Sequence, residues 1–199
     1  MTTAKRKRMP RAEREQQMIA VAEGVFTERG YAAASMDEIA ELVGVSKPML
    51  YEYFHSKEGL LLACIRQSRS ALREATEQAT ARATSAEDAL QRGLLAFFEF
   101  IRDRGEAWSL LRQEMALVGT PAADEIEETR RQQTDLIASL MSGHFDAEDT
   151  LRTEASAEFV VGACERLAIW CERFPEVTPR MATEYAMDLL WTGLSQRAT

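Results

Sequence analysis

The chain has 199 residues, of which 46% are hydrophobic and 28% charged, a balance that fits one or two soluble domains with length for a buried core. No apolar run is long enough to span a membrane, residues 1–14 lack the continuous apolar segment of a secretory leader, and a cytoplasmic location is expected. The net charge of −8 speaks against a nucleic-acid partner until its distribution is read: nine basic residues stand against eight acidic ones through Lys57, and fifteen against twenty-four beyond it.

Salt screens exposed charges beyond roughly 10 Å at 0.1 M, so a local basic patch can hold DNA while a distant acidic domain is scarcely felt. Residues 1–10, with Lys5, Arg6, Lys7 and Arg8, read as a flexible basic arm, because clustered like charge with little apolar content disfavours packing. Such an arm can lie along phosphates or probe the minor groove; a solvated tail is the alternative. From 11 to 29, Met18, Ile19, Ala22, Val25 and Phe26 form a helical stripe that ends at Gly30.

The stretch from 35 to 57 carries the clearest functional signal. Ser35 and Glu38 have the spacing of a capping box, which starts a helix near Met36. Ile39, Ala40 and Val43 give that helix a buried stripe, and Gly44 stops it by taking the left-handed conformation. Ser46 caps a second short helix with Pro48 in its first turn, where a missing amide proton costs little. Two short helices joined by a glycine-containing turn make a helix-turn-helix, whose second helix enters the major groove.

Leu50 and Phe54 face inward with Val45, which leaves Lys47, Pro48, Met49, Tyr51 and Tyr53 for the groove and its walls. Lysine and tyrosine bond phosphate oxygens, lysine also reaches guanine acceptors, and proline and methionine meet thymine methyls. Glu52 either accepts from a cytosine amino group or points to solvent. Ser56 caps the next helix, and Lys57 with the free amides there forms a phosphate clamp. With Ser35, Met36 and Ser46 at the helix starts, these make the expected DNA-contacting set.

The order DEIAELVGVSKPMLYEYFHSKEGLL closely resembles the DNA-binding domain of the tetracycline-repressor (TetR) family of bacterial transcription regulators. The features that match are the IA and GV of the first helix, the turn serine, the LY-x-x-F of the second helix and the SKEGL that follows. This covers about the first quarter to third of the chain.

Beyond Lys57 the chain reads as helices to its end. One is expected over 58–83, and Ser85 caps another that carries Leu90, Leu94, Phe97, Phe98 and Ile101 and is broken at Gly105. A helix over 106–118 follows. Thr120 with Pro121, and Thr178 with Pro179, each place a capping threonine before a proline at the first helical position. Val160, Ala163, Leu167, Trp170 and Phe174 recur at three- and four-residue steps, as do Ala182, Ala186, Leu189 and Gly193. Such seams favour helix-on-helix packing, either within one domain's core or against a twin.

The resemblance implies the rest: an all-α protein with a three-helix DNA-binding domain at 11–57 and a helical ligand-binding and dimerisation domain at 58–199. It implies a homodimer through the last two helices, reading double-stranded DNA at a palindromic operator as a repressor released by a small, largely apolar effector. Candidate effector contacts are Phe97, Phe98, Phe100, Trp108, Leu111, Met115, Met141, Cys164 and Trp170, all of residue types that also make plain core. No cofactor or metal is expected: with His55 and His144 alone, and Cys64, Cys164 and Cys171 far apart, zinc-ligand spacing is absent. A helical small-molecule-binding enzyme is the alternative, without a phosphate loop or a metalloprotease motif to support it. A sequence-blind DNA packager would carry a basic chain overall.

Overall fold

The computed structural model describes residues 9–105, 108–109, 131–132, 134–135, 137–139 and 150–195, and the regular structure among them is all α-helical. Helix α1 (Arg11–Ala33) buries Met18, Ile19, Ala22, Val25 and Phe26, the stripe expected from spacing. Its ladder breaks at Gly30 (φ 73°, ψ 163°), a conformation that a side chain would resist, so the last residues turn toward the next element instead of continuing straight.

Helices α2 (Met36–Val43) and α3 (Lys47–Phe54) are joined by a tight turn. Gly44 is left-handed (φ 77°, ψ 37°); its amide bonds Glu41 O, and the Val45 amide reaches back to Ala40 O, both at 3.0 Å. This is a complete Schellman motif, and it fixes how α3 leaves α2. Leu50, fully buried, and Phe54 then anchor α3 against the core.

Helix α4 (Lys57–Thr80) packs on α1 and α3 and also on α5 (Ala86–Asp103), so it belongs to both halves of the chain. Its first turns bury Leu60, Leu61, Cys64 and Ile65, and polar ties join it to α1: Ser68 Oγ donates to Glu23 Oε1 at 3.1 Å, and the Cys64 thiol points at Ile19 O. The expected boundary at Lys57 therefore precedes a helix whose first half lies in the N-terminal core. Helix α5 opens at Ser85, whose hydroxyl accepts from the Asp88 amide at 3.1 Å, while Asp88 accepts from the Thr84 amide at 3.0 Å. Gly105 does not break this helix. The ladder departs one residue earlier, at Arg104 (φ −130°, ψ 49°), and Gly105 is itself helical.

After α6 (Thr150–Cys171), α7 (Pro179–Ser195) starts as expected, with Thr178 Oγ1 accepting from the Met181 amide at 3.3 Å. Helix α7 packs on α5 and α6. Val160, Ala182 and Ala186, whose stripes fitted either the protomer's own core or a twin, are buried in the protomer's own core. Leu189, of the same stripe, faces outward at 82% exposed, and so do Leu151 and Phe159 on α6 and Tyr185 on α7. A helical stripe reports spacing, not what covers it. Of the helix expected over 106–118 the structure describes only 108–109, both helical, and the start expected at Pro121 lies outside the described residues.

Candidate nucleic-acid interface and effector site

The α2–α3 pair is built from local hydrogen bonds upward. Ser35 Oγ accepts from the Asp37 amide at 3.2 Å and starts α2. The reciprocal half of the expected capping box is not formed, because the Glu38 carboxylate accepts from Arg29 Nη2 at 3.3 Å. Ser46 is the N-cap of α3 by backbone geometry, yet its hydroxyl makes no cap bond and stays on the surface.

Lys47, Pro48, Tyr51 and Glu52 are exposed along α3, while Met49 and Tyr53 are half-buried. Buried Leu50 and Phe54 hold the opposite face, so α3 offers one surface outward. Tyr53 is fixed by the Arg11 guanidinium, which lies 4.7 Å from its ring centroid. Met36 departs from expectation. It is 5% exposed, because it continues the stripe of Ile39, Ala40 and Val43, and it belongs to the core rather than to the contacting surface.

The end of α3 is sharply turned. His55 has a positive φ (65°, ψ −35°), and the Ser56 amide bonds Phe54 O at 2.7 Å, a γ-turn centred on a non-glycine residue. Ser56 Oγ then accepts from the Gly59 amide at 2.9 Å and starts α4. A Cβ on Gly59 would collide with the Phe54 carbonyl oxygen, so the glycine of the SKEGL motif is a packing requirement. Lys57 Nζ donates to Ala32 O at 3.2 Å and sits 4.8 Å from the Tyr31 ring centroid, tying the start of α4 to the end of α1.

Lys47 Nζ donates to Asp37 Oδ2 at 2.9 Å. That hydrogen bond and the nearby charge raise the Lys47 pKa above its ordinary value. The partners of Asp37, Arg29 and Arg11 each come from a different helix, so local sequence does not mark these roles. The basic character of Arg11 was visible; its ring partner was not.

In the C-terminal half, Phe97, Phe98 and Trp108 form one buried aromatic cluster, with edge-to-face contacts at 5.2 Å (Phe97–Phe98) and 5.8 Å (Phe97–Trp108). Trp108 Nε1 donates to Glu172 Oε1 at 3.0 Å, which fixes the indole from beyond the end of α6. Phe100 is buried with Arg104 over its ring, and Cys164 is buried, where desolvation pushes its thiol pKa up to about 12. Trp170 is half-buried and pairs with Phe174 at 4.7 Å rather than with the cluster. Leu111, Met115 and Met141 lie outside the described residues. Among the described residues there is no group of side chains that could hold a metal, and no helix long and apolar enough to cross a membrane.

An outward-facing recognition helix on a small helical domain, followed by a larger helical domain, defines a DNA-binding, ligand-binding transcription regulator. Residues 18–64 match the family described as bacterial regulatory proteins, tetR family, and residues 86–193 match the tetracyclin repressor-like C-terminal domain. The chain belongs to the TetR family. It is 30% identical over 188 residues to the HTH-type transcriptional activator FasR of Mycolicibacterium smegmatis, covering 94% of this chain and 86% of FasR. A TetR-like transcriptional regulator from Rhodococcus sp. RHA1 superposes with a TM-score of 0.75 at 33% identity, covering 94% of this chain and 99% of that one. FadR from Bacillus subtilis, solved in complex with stearoyl-CoA, shares the fold with a TM-score of 0.76 at 16% identity, covering 89% of this chain and 98% of that one. The relatives of this chain are named as regulators, and no catalytic family is indicated.

Proposed function

We propose that this regulator acts in the cytoplasm as a two-fold homodimer on a palindromic operator, as a repressor released by a small, largely apolar effector. The observation that carries the DNA reading is α3 itself: Ser46, Lys47, Pro48 and Tyr51 face outward while Leu50 and Phe54 hold the helix from behind. Ser35, Met49, Tyr53 and Lys57 stand at the margins of that surface as supporting contacts. One short helix reaches only a few base pairs, so two in register are needed for tight binding.

Leu151, Phe159, Tyr185 and Leu189 support dimerisation through α6 and α7, since large apolar side chains left outward on two helices need a cover. A two-fold axis presents the same residues from both copies. In such an interface Leu189→Asp places an unpaired carboxylate in an apolar contact twice over, costing at least several kcal/mol. For the effector, the Phe97, Phe98 and Trp108 cluster with Cys164 supports an apolar group. The stearoyl-CoA bound to B. subtilis FadR makes a fatty acyl thioester the class to test first.

Sedimentation and fluorescence anisotropy test this reading together. The wild-type chain should sediment as a dimer, bind a palindromic site far more tightly than an isolated half-site, and lose it when stearoyl-CoA is added. Leu189→Asp should sediment as a monomer and bind the palindrome weakly. A wild-type monomer that binds a half-site as tightly as a palindrome contradicts the dimer. The activator role of FasR favours a second reading of the sign, in which the bound regulator raises transcription. A reporter placed behind the operator separates the two.

A further inference from the structure

Lys47 is the first residue of α3, and its ammonium closes on a carboxylate of the neighbouring helix rather than standing free. Asp37 is in the first turn of α2, with its amide held by Ser35 Oγ, and the Schellman turn at Gly44 sets the distance between the two helix starts. The pair spans that gap at 2.9 Å, with the Lys47 side chain 45% and the Asp37 side chain 70% exposed. An ion pair this exposed contributes little to folding. It sits at the start of the recognition helix, where a lysine does its work on DNA, so its consequence lies in binding.

A free lysine on a recognition helix neutralises whichever phosphate it meets and releases counterions without regard to sequence. A lysine already paired adds no net charge to that surface. Its ammonium still has donors beyond the one given to Asp37, and these point in a direction that the carboxylate fixes. We propose that Asp37 is a specificity-determining residue: it holds Lys47 as an oriented donor for a base edge or one set phosphate, and withholds it from the sequence-blind contacts available on any duplex. This rests on α3 being the DNA-reading helix. Asp37 touches no base in this account; it acts through Lys47.

The test is a double-mutant cycle on the full chain: wild type, Asp37→Asn, Lys47→Ala and the double variant. Asparagine keeps the backbone amide that Ser35 caps, and circular dichroism verifies the helix content of each variant. Binding to a duplex of random sequence and to a palindrome selected by the wild type is measured across a range of KCl concentrations. Asp37→Asn should tighten random-sequence binding about five-fold per chain, the scale of one contact-distance charge interaction in water. It should steepen the slope of log affinity against log salt by about 0.9 per chain. The palindrome should gain less, so discrimination falls. With Lys47→Ala in place, Asp37→Asn should leave the slope unchanged. Equal tightening in the Lys47→Ala background would reduce Asp37 to a plain surface charge and overturn the proposal. So would unchanged or weaker random-sequence binding by a correctly folded Asp37→Asn protein. Failure of the wild type to bind any DNA would instead remove the helix-turn-helix reading beneath it.

Discussion

Gly59→Ala adds one methyl group at a position that is on the surface of neither proposed site, and it should still impair DNA binding. The Cβ would run into the Phe54 carbonyl oxygen, the last carbonyl of α3, which is already committed to the γ-turn through the Ser56 amide. Overpacking by extra methyl groups costs about 1–3 kcal/mol where side chains can yield, and a backbone obstacle puts this case at about 3 kcal/mol. Alanine recovers about 1 kcal/mol over glycine within a helix, leaving a net loss of about 2 kcal/mol. At roughly 2–4 °C per kcal/mol for a chain of this size, thermal denaturation should show Tm lower by about 4–8 °C. Relief of the clash must move either α4 or the end of α3, so operator affinity measured well below Tm should fall as well. A Gly59→Ala protein with unchanged or raised Tm and wild-type affinity would show that helix propensity outweighs the clash and that the Phe54 carbonyl does not constrain residue 59.

Lys57→Ala should show two effects at once: a Tm lower by about 2–4 °C, from loss of a cation–π contact and its hydrogen bond at about 1 kcal/mol together, and a salt slope smaller by about 1 if the ammonium also meets a phosphate. A lower Tm with an unchanged slope would assign Lys57 to bracing alone. Cys64 and Cys164 are buried with thiol pKa values raised chiefly by desolvation, so the folded protein should react with a disulfide reagent first at half-buried Cys171, and the unfolded chain at all three cysteines. Fast labelling of Cys164 in the folded state would contradict that burial. Asp88 has a pKa lowered first by its hydrogen bond from the Thr84 amide and then by Arg92, so its stabilising contribution is present above the ordinary carboxylate value and is lost as pH falls through its folded value. Asp88→Asn should therefore lower Tm at neutral pH and make no difference in strong acid; an equal loss at both pH values would point to another cause.

What was legible in the sequence was local. Ser35, Ser56, Ser85 and Thr178 mark helix starts because a cap needs partners only two or three residues away, and Gly44 marks a helix end for the same reason. The burial of Met36 is equally local, since it falls on the stripe of Ile39, Ala40 and Val43. Contacts that depend on the angle between helices were not legible. Lys47 meets Asp37 only because of the turn at Gly44, and Trp108 finds Glu172 across most of the C-terminal half. The stripes along α6 and α7 had the right period but left their partner open, and Ala182 and Ala186 turned inward while Leu189 turned out.

On the function proposed above, α3 reads a palindromic operator for a two-fold regulator. Selection and sequencing of genomic fragments retained by the purified wild-type chain test it most directly. One enriched inverted repeat is expected, with half-sites about one helical turn, 10–10.5 base pairs, or a multiple of it apart, lost when Lys47 and Tyr51 are both replaced by alanine. Fragments retained in proportion to their length, with no shared sequence and no dependence on Lys47 or Tyr51, would contradict it.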